Sequence, residues 1–284
     1  MSQIDYSAIE QYSALSQLPA TDQILAQRNL LLPSSESFAL NPQSELLINP
    51  SYPEEESKIP LALISVVPSQ PKDNLVPLHD ENAQAWIERH SRGVNPLPRS
   101  EIIWMHEKQL IQNGVLYPRI SGSGENMNHY RQYHVFQTNG YIEWGLSGDI
   151  TYLTRSNKPV LMLRHIMIRI WLTLNLADQY YQNFQYAEDA LIILSLRNVK
   201  SFALGGFGGG PDGNHKWVEP YDILNSKASL NKFAHNLQIK RTVSKETKID
   251  EIVFSIAKDI SHAFGEDTAK CYKHDGSFAL EGLL

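Results

Sequence analysis

One cysteine, Cys271, is the whole thiol content of the 284 residues. It cannot close an internal disulfide, and a secreted chain of this length ordinarily carries several paired cysteines, so a reducing, cytoplasmic setting is expected. Charge of one sign is also scarce: 25 basic residues stand against 31 acidic ones, a formal net charge of −6. That balance gives no global attraction for a phosphate backbone but leaves room for a local basic patch, so nucleic acid is neither the default partner nor excluded. Long uncharged apolar runs are missing too. The most apolar segment, residues 160–177, contains Arg164, His165 and Arg169, each costly at a bilayer centre, which makes it a buried helix and not a membrane span. The opening residues Met1, Ser2, Gln3, Ile4 and Asp5 have neither the basic nor the apolar region of an export signal.

What is present describes a folded protein: 42% hydrophobic and 20% charged residues, far from the profile of a disordered chain. Ile9, Tyr12, Leu15 and Leu18 fall at helical spacing before Pro19, and a second helical run over 22–32 ends at Pro33. Residues 34–58 are rich in Ser, Pro, Asn and Glu and read as a surface connection. The expected division is a helical N-terminal segment and linker over 1–58, then one globular domain over 59–284.

Within that domain, residues 59–67 form a continuous apolar, β-branched run bounded by prolines, the pattern of a strand buried on both faces. Asp80 is placed to cap a helix running through Trp86 to His90, and a strand is expected to begin at Ile102. Asn113-Gly114 and Asn139-Gly140, each between strand-like residues, predict two tight antiparallel hairpins, because Asn and Gly adopt positive φ most cheaply. Pro159 is read as the start of a long helix whose apolar residues are too many for one stripe, so it should be covered on most sides. Strands are expected over 190–196, 201–204 and 236–243. A last amphipathic helix has Asp250 as its cap, Ile252, Val253, Ile256, Ile260 and Phe264 on one face, and Gly265 beyond its end. Hairpins without regular βαβ alternation predict an α+β fold with a largely antiparallel sheet.

Candidate chemistry is sparse. In the glycine-rich loop, Gly206, Gly208 and Gly210 can offer backbone N–H groups to an anion, with His215 and Lys216 beside them. The loop lacks the Gly-Lys-Ser/Thr ending of a phosphate loop, and Pro211 spoils a dinucleotide spacing. Asp212 with Glu246 and Lys248 sketches a metal-dependent hydrolase of the nuclease kind, two carboxylates holding a divalent ion and the lysine assisting the attacking water. Cys271, His274 and His262 supply three potential zinc ligands but no fourth, so no metal is assigned. His106-Glu107 lacks the second histidine of a zinc-protease helix, and residues 121–124 lack the spacing of a nucleophile elbow. His129 and His134, five apart, do not share a face. Arg164 and Arg169 call for structural partners among Glu143, Asp149, Glu188 and Asp189, and Tyr180, Tyr181, Phe184 and Tyr186 read mostly as core or rim. No cofactor is expected.

Three segments carry a family resemblance: Pro60-Leu61-Ala62-Leu63-Ile64-Ser65-Val66-Val67-Pro68, Val135-Phe136-Gln137-Thr138-Asn139-Gly140-Tyr141-Ile142-Glu143, and Ala190-Leu191-Ile192-Ile193-Leu194-Ser195-Leu196-Arg197-Asn198-Val199. Their order resembles the region that follows the Schlafen-AlbA-type domain in bacterial proteins described as ATP-binding or transcriptional regulators. The domain that names those proteins, with its nucleotide or nucleic-acid site, has no counterpart in this sequence, so no functional residue carries over. The resemblance implies an accessory half acting as a regulatory sensor or interaction module for a separately encoded protein partner.

Overall fold

The computed structural model describes residues 61–91, 108–111, 113–121, 129–146, 150–153, 159–197, 199, 202–205, 236–244 and 246–264. Ten strands and three helices follow one another in those residues: β1 (Leu61–Pro68), α1 (Glu81–Ser91), β2 (Gln109–Ile111), β3 (Gly114–Ser121), β4 (His129–Gln137), β5 (Ile142–Leu146), β6 (Thr151–Leu153), β7 (Pro159–Met162), α2 (Leu163–Asn183), β8 (Ala190–Arg197), β9 (Ala203–Gly205), β10 (Asn236–Val243) and α3 (Ile249–Ala263). Seven strands form one sheet in the order β10-β8-β1-β5-β4-β3-β2, with every neighbouring pair antiparallel. A second sheet has the order β6-β7-β9, where β7 and β9 are parallel. The architecture is α+β and largely antiparallel, as the hairpin signals predict.

β1, β3, β4 and β8 of the large sheet divide their apolar residues between two clusters, the consequence of side chains alternating along a strand. Ala62, Ile64 and Val66 of β1 join Ile142, Trp144, Leu146, Ile192, Leu194 and Leu196 under the helices. Every buried apolar residue of α2 and of α3 belongs to that cluster, and Ile87 of α1 joins them. Leu61, Leu63 and Val67 face the other way with Leu116, Tyr133, Val135, Tyr141 and Ile193. β1 is buried at all eight positions, the both-face burial its unbroken apolar run implies. α2 is covered by α3, β1, β5 and β9, and twelve of its residues are buried. A fully buried Leu or Ile there is worth about 1.5–3 kcal/mol.

Both hairpins form, but neither turn places both residues of its Asn-Gly pair at positive φ. Ile111 pairs with Gly114 across a two-residue loop, so Gly114 is already the first residue of β3, and of the Asn-Gly pair it is Asn113 that occupies positive φ (58°). In the second hairpin Phe136 pairs with Ile142, and Gln137 N–H donates to Tyr141 O at 2.9 Å. Residues 138–140 make a three-residue loop in which only Gly140 (φ 91°) is left-handed, the type I turn plus glycine arrangement. Asn139 contributes through its side chain, its Oδ1 accepting from Tyr141 N–H at 3.0 Å.

Helix boundaries show where local signals mislead. Asp80 caps α1 as expected, Oδ1 accepting from the N–H of Asn82 (2.7 Å) and Ala83 (3.1 Å). Pro159 does not start the long helix. Residues 159–162 are claimed by β6 and β9, and α2 begins at Leu163; a proline at the first residue of a strand removes no needed donor. Asp250 is not the cap of α3. Lys248 occupies that position without a side-chain cap, and Asp250, one residue inside the helix, accepts instead from Trp171 Nε1–H at 3.0 Å. At the far end of α2, Tyr186 N–H donates to Tyr181 O (2.8 Å) and Gln185 N–H to Gln182 O (3.3 Å), a Schellman closure with Gln185 at φ 56°. The expected N-terminal helices and linker, and the strand expected at Ile102, lie outside the described residues.

Candidate functional site

Of the loop, hydrolase and zinc candidates, Glu246, Lys248 and His262 fall among the described residues. Gly206, Gly208, Gly210, Asp212, His215 and Lys216 lie outside the described residues, as do Cys271 and His274. Glu246 and Lys248 sit exposed in the short connection from β10 to α3. That connection is held by Thr247 N–H to Ser244 O (3.1 Å) and by the Ser244 and Thr247 hydroxyls at 2.8 Å. Lys248 gives its carbonyl to the N–H groups of Glu251 and Ile252, so it opens a helix. His262 is exposed in the last turn of α3. Among the described residues no group of three or more His, Cys, Asp or Glu is arranged to hold a metal ion.

A polar constellation the sequence does not advertise lies on the sheet face opposite the helices. Glu143 of β5 is 0% exposed. Its Oε1 accepts from Tyr133 Oη–H at 2.5 Å, and its Oε2 from Tyr141 Oη–H at 2.6 Å and Ser65 Oγ–H at 2.8 Å. Tyr141 Oη and Ser65 Oγ are themselves 3.1 Å apart, closing the ring. A buried carboxyl group is tolerable only when such donors replace its water. Register assembles the group: Ser65 stands opposite Glu143, and Tyr133 opposite Gly145.

Strand alternation places one of the expected partners of the two helical arginines, Glu143, on the other face of the sheet. Glu143 and Trp144 are consecutive on β5 and therefore point to opposite faces. Glu143 joins the hydroxyls, while Trp144 faces α2 and lies under the Arg169 guanidinium, 5.0 Å from its ring centroid. Glu188 and Asp189 are exposed where the chain enters β8, and Asp149 lies outside the described residues. On the helix side of the sheet, His134 stands edge-on to Trp144, centroids 4.1 Å apart, with Gln132 two residues before it on the same face of β4.

The aromatic run at the end of α2 is core, as its helical spacing suggests. Tyr180, Tyr181 and Tyr186 are buried, and Phe184 is partly so. Tyr180 Oη donates to Gln137 O (3.2 Å) and Tyr181 Oη to Gly140 O (3.0 Å), pinning the helix to the β4–β5 turn. Burial pushes both phenols well above their ordinary value, with Tyr180 and Tyr186 adding to the rise at Tyr181.

Two clefts open between described elements. One, about 340 Å³, lies between α1 and the β2–β3 hairpin and is lined by Leu78, Ile87, Lys108, Leu110, Val115 and Tyr117 among others. The second, about 460 Å³, lies between the end of α2 and the start of α3, with Tyr181, Tyr186, Asp178, Glu188 and Thr247 in its lining. Lys108 sits at the first cleft, its Nζ held by Glu88 Oε1 (2.7 Å) and Gln84 Oε1 (2.8 Å). No helix among the described residues is long and apolar enough to cross a membrane. No family model, no curated protein and no solved structure matches this chain.

Proposed function

We propose that this chain is a non-catalytic sensor or interaction module that works in the cytoplasm with a separately encoded protein partner. The observation that carries the reading is Leu110. It is 83% exposed, the one exposed large hydrophobic side chain among the described residues. It belongs to β2, the outermost strand on its side of the large sheet, and lines the 340 Å³ cleft beside Leu78, Ile87 and Tyr117. An outermost strand offers backbone groups to an added strand, and an apolar side chain next to a half-apolar cleft gives that strand an anchor. Covering a leucine is worth about 1.5–3 kcal/mol, enough to matter at the centre of a modest interface.

The chemistry of the interior supports the same reading. Ser65, Tyr133, Tyr141 and Glu143 bond one another across three strands, an arrangement that ties β1, β4 and β5 together. Glu246 and Lys248 line neither cleft. The resemblance to the accessory region of Schlafen-AlbA-type regulators belongs to this proposal as its expectation of a regulatory partner.

The test is a tagged pull-down from the native host with wild type and Leu110→Lys, identifying bound protein, nucleic acid and small molecules. Wild type should retain a stoichiometric protein that Leu110→Lys loses by about tenfold or more, the equivalent of about 1.4 kcal/mol. Recovery of the chain alone, or with only nucleic acid or a nucleotide, would overturn the reading.

A further inference from the structure

One face of α2 opens onto the cleft of about 460 Å³ beside the start of α3. Leu174, Ala177, Asp178, Tyr181 and Gln182 line it at helical spacing, so they share that face. Small side chains leave the space. Ala177 of α2 and Ala190, the first residue of β8, are both buried in the lining. Ala190 is paired with Pro68 on one side and Val243 on the other, so its backbone is fixed while its methyl group fills little volume. The cleft falls within the roughly 300–1,000 Å³ of small-molecule sites, and its buried lining is mostly apolar, as in such sites.

The lining selects an occupant's charge. It contains two carboxylates, Asp178 and Glu188, and no Lys, Arg or His. Both carboxylates are exposed at the rim, where an entering ligand meets them. Glu188 makes no hydrogen bond or ion pair with any described residue. Asp178 Oδ2 accepts from Gln182 Nε2–H at 2.9 Å, which leaves Oδ1 open. Lys248, next in the chain to Thr247, is exposed and lies outside the lining. The phenol protons are spent elsewhere: Tyr181 Oη donates to Gly140 O (3.0 Å) and Tyr186 Oη to Asp189 O (2.9 Å). Neither phenol keeps a proton for an anion, whereas either ring attracts a cation over its face. A bare divalent ion is a poor match, because it needs six or more oxygen ligands or waters and this lining is largely hydrocarbon.

We propose that the cleft between the end of α2 and the start of α3 binds a small organic cation, an ammonium group on an aliphatic chain. The ammonium group pairs with the Asp178 and Glu188 carboxylates in charge-assisted hydrogen bonds. The aliphatic chain lies against Leu174, Ala177 and Ala190, where its burial adds to the affinity. This site shares no residue with the cleft beside Leu110, so either can fail without the other.

The test is calorimetric titration of the full chain with butylamine, putrescine, butanol, ammonium chloride and magnesium chloride at constant ionic strength. Saturable binding of the two amines is expected, with none of butanol, which lacks the charge, and none of ammonium or magnesium, which lack the aliphatic body. Tighter binding of putrescine than of butylamine assigns one carboxylate to each end of the diamine, and equal binding assigns both to one ammonium group. Glu188→Gln and Asp178→Asn are exposed changes that should leave the melting temperature unchanged and together weaken amine binding by about tenfold or more. The proposal falls if neither amine binds, if butanol, ammonium or magnesium binds as well as the amines, or if the folded double variant binds them like wild type.

Discussion

Tyr133 lies across Gly145, its partner on the neighbouring strand, so closely that a Cβ on Gly145 would fall far inside van der Waals contact with the ring. The missing side chain lets the ring lie flat along the sheet and bring its hydroxyl to Glu143. Gly145→Ala should therefore displace Tyr133 and destabilise the protein by about 2 kcal/mol or more, combining overpacking with a weakened buried hydrogen bond. Tyr133→Phe should cost about 1–3 kcal/mol by taking one donor from a buried carboxyl group. Because both act through one ring, the double variant should lose less than the sum. Urea unfolding of the four proteins measures the coupling, and simple additivity would contradict this geometry.

Gln185 occupies a left-handed position that glycine fills more cheaply. Replacing it with glycine should stabilise the protein by about 0.5 kcal/mol, the relief of strain exceeding the added freedom of the unfolded chain. Chemical denaturation reads the sign; a loss of stability would mean that the Gln185 side chain contributes more than its backbone costs.

The pH dependence of stability follows from Tyr180 and Tyr181. Both hold their protons in the fold well beyond the ordinary phenol value near 10. Below that value the two states carry the same protons at these sites and they add no slope. Above it the unfolded chain releases protons that the fold retains, so stability should fall with rising pH by up to about 1.4 kcal/mol per unit per tyrosine. Phenolate absorbance should appear together with unfolding, and Tyr180→Phe should reduce the slope.

Metal-dependent hydrolysis offers the sharpest test between binding and catalysis. With magnesium or manganese, and single-stranded or duplex nucleic acid as substrate, the purified chain should show no turnover that Asp212→Ala removes. Hydrolysis lost in Asp212→Ala with an unchanged melting temperature would establish the hydrolase instead.

The sequence made the strands legible because their signals are local. Alternating or continuous apolar runs bounded by turn residues place β1, β8 and β10 within a residue or two, and Asp80 marks the start of α1 through the backbone groups beside it. Pro159 misled because a proline can open a helix or a strand, and the choice lies with β6 and β9. Asp250 misled because the indole of Trp171, 79 residues away, holds the carboxylate. The Glu143 constellation was out of reach for the same reason: Ser65 and Glu143 are 78 residues apart and meet only once register is set. The local hint was Glu143 in a strand with Tyr141 and Gly145 on one face and Ile142, Trp144 and Leu146 on the other.

The position of β1 sets the order in which the molecule can be made. It lies between β5 and β8, with Leu61 paired to Arg197 and Val66 to Ile142. During synthesis this strand, apolar on both faces, emerges first among the three and stays without its neighbours until β5 and then β8 have left the ribosome. The sheet cannot close before that point, which makes folding slow for the chain's size and the nascent β1 a natural client of chaperones that shield apolar segments.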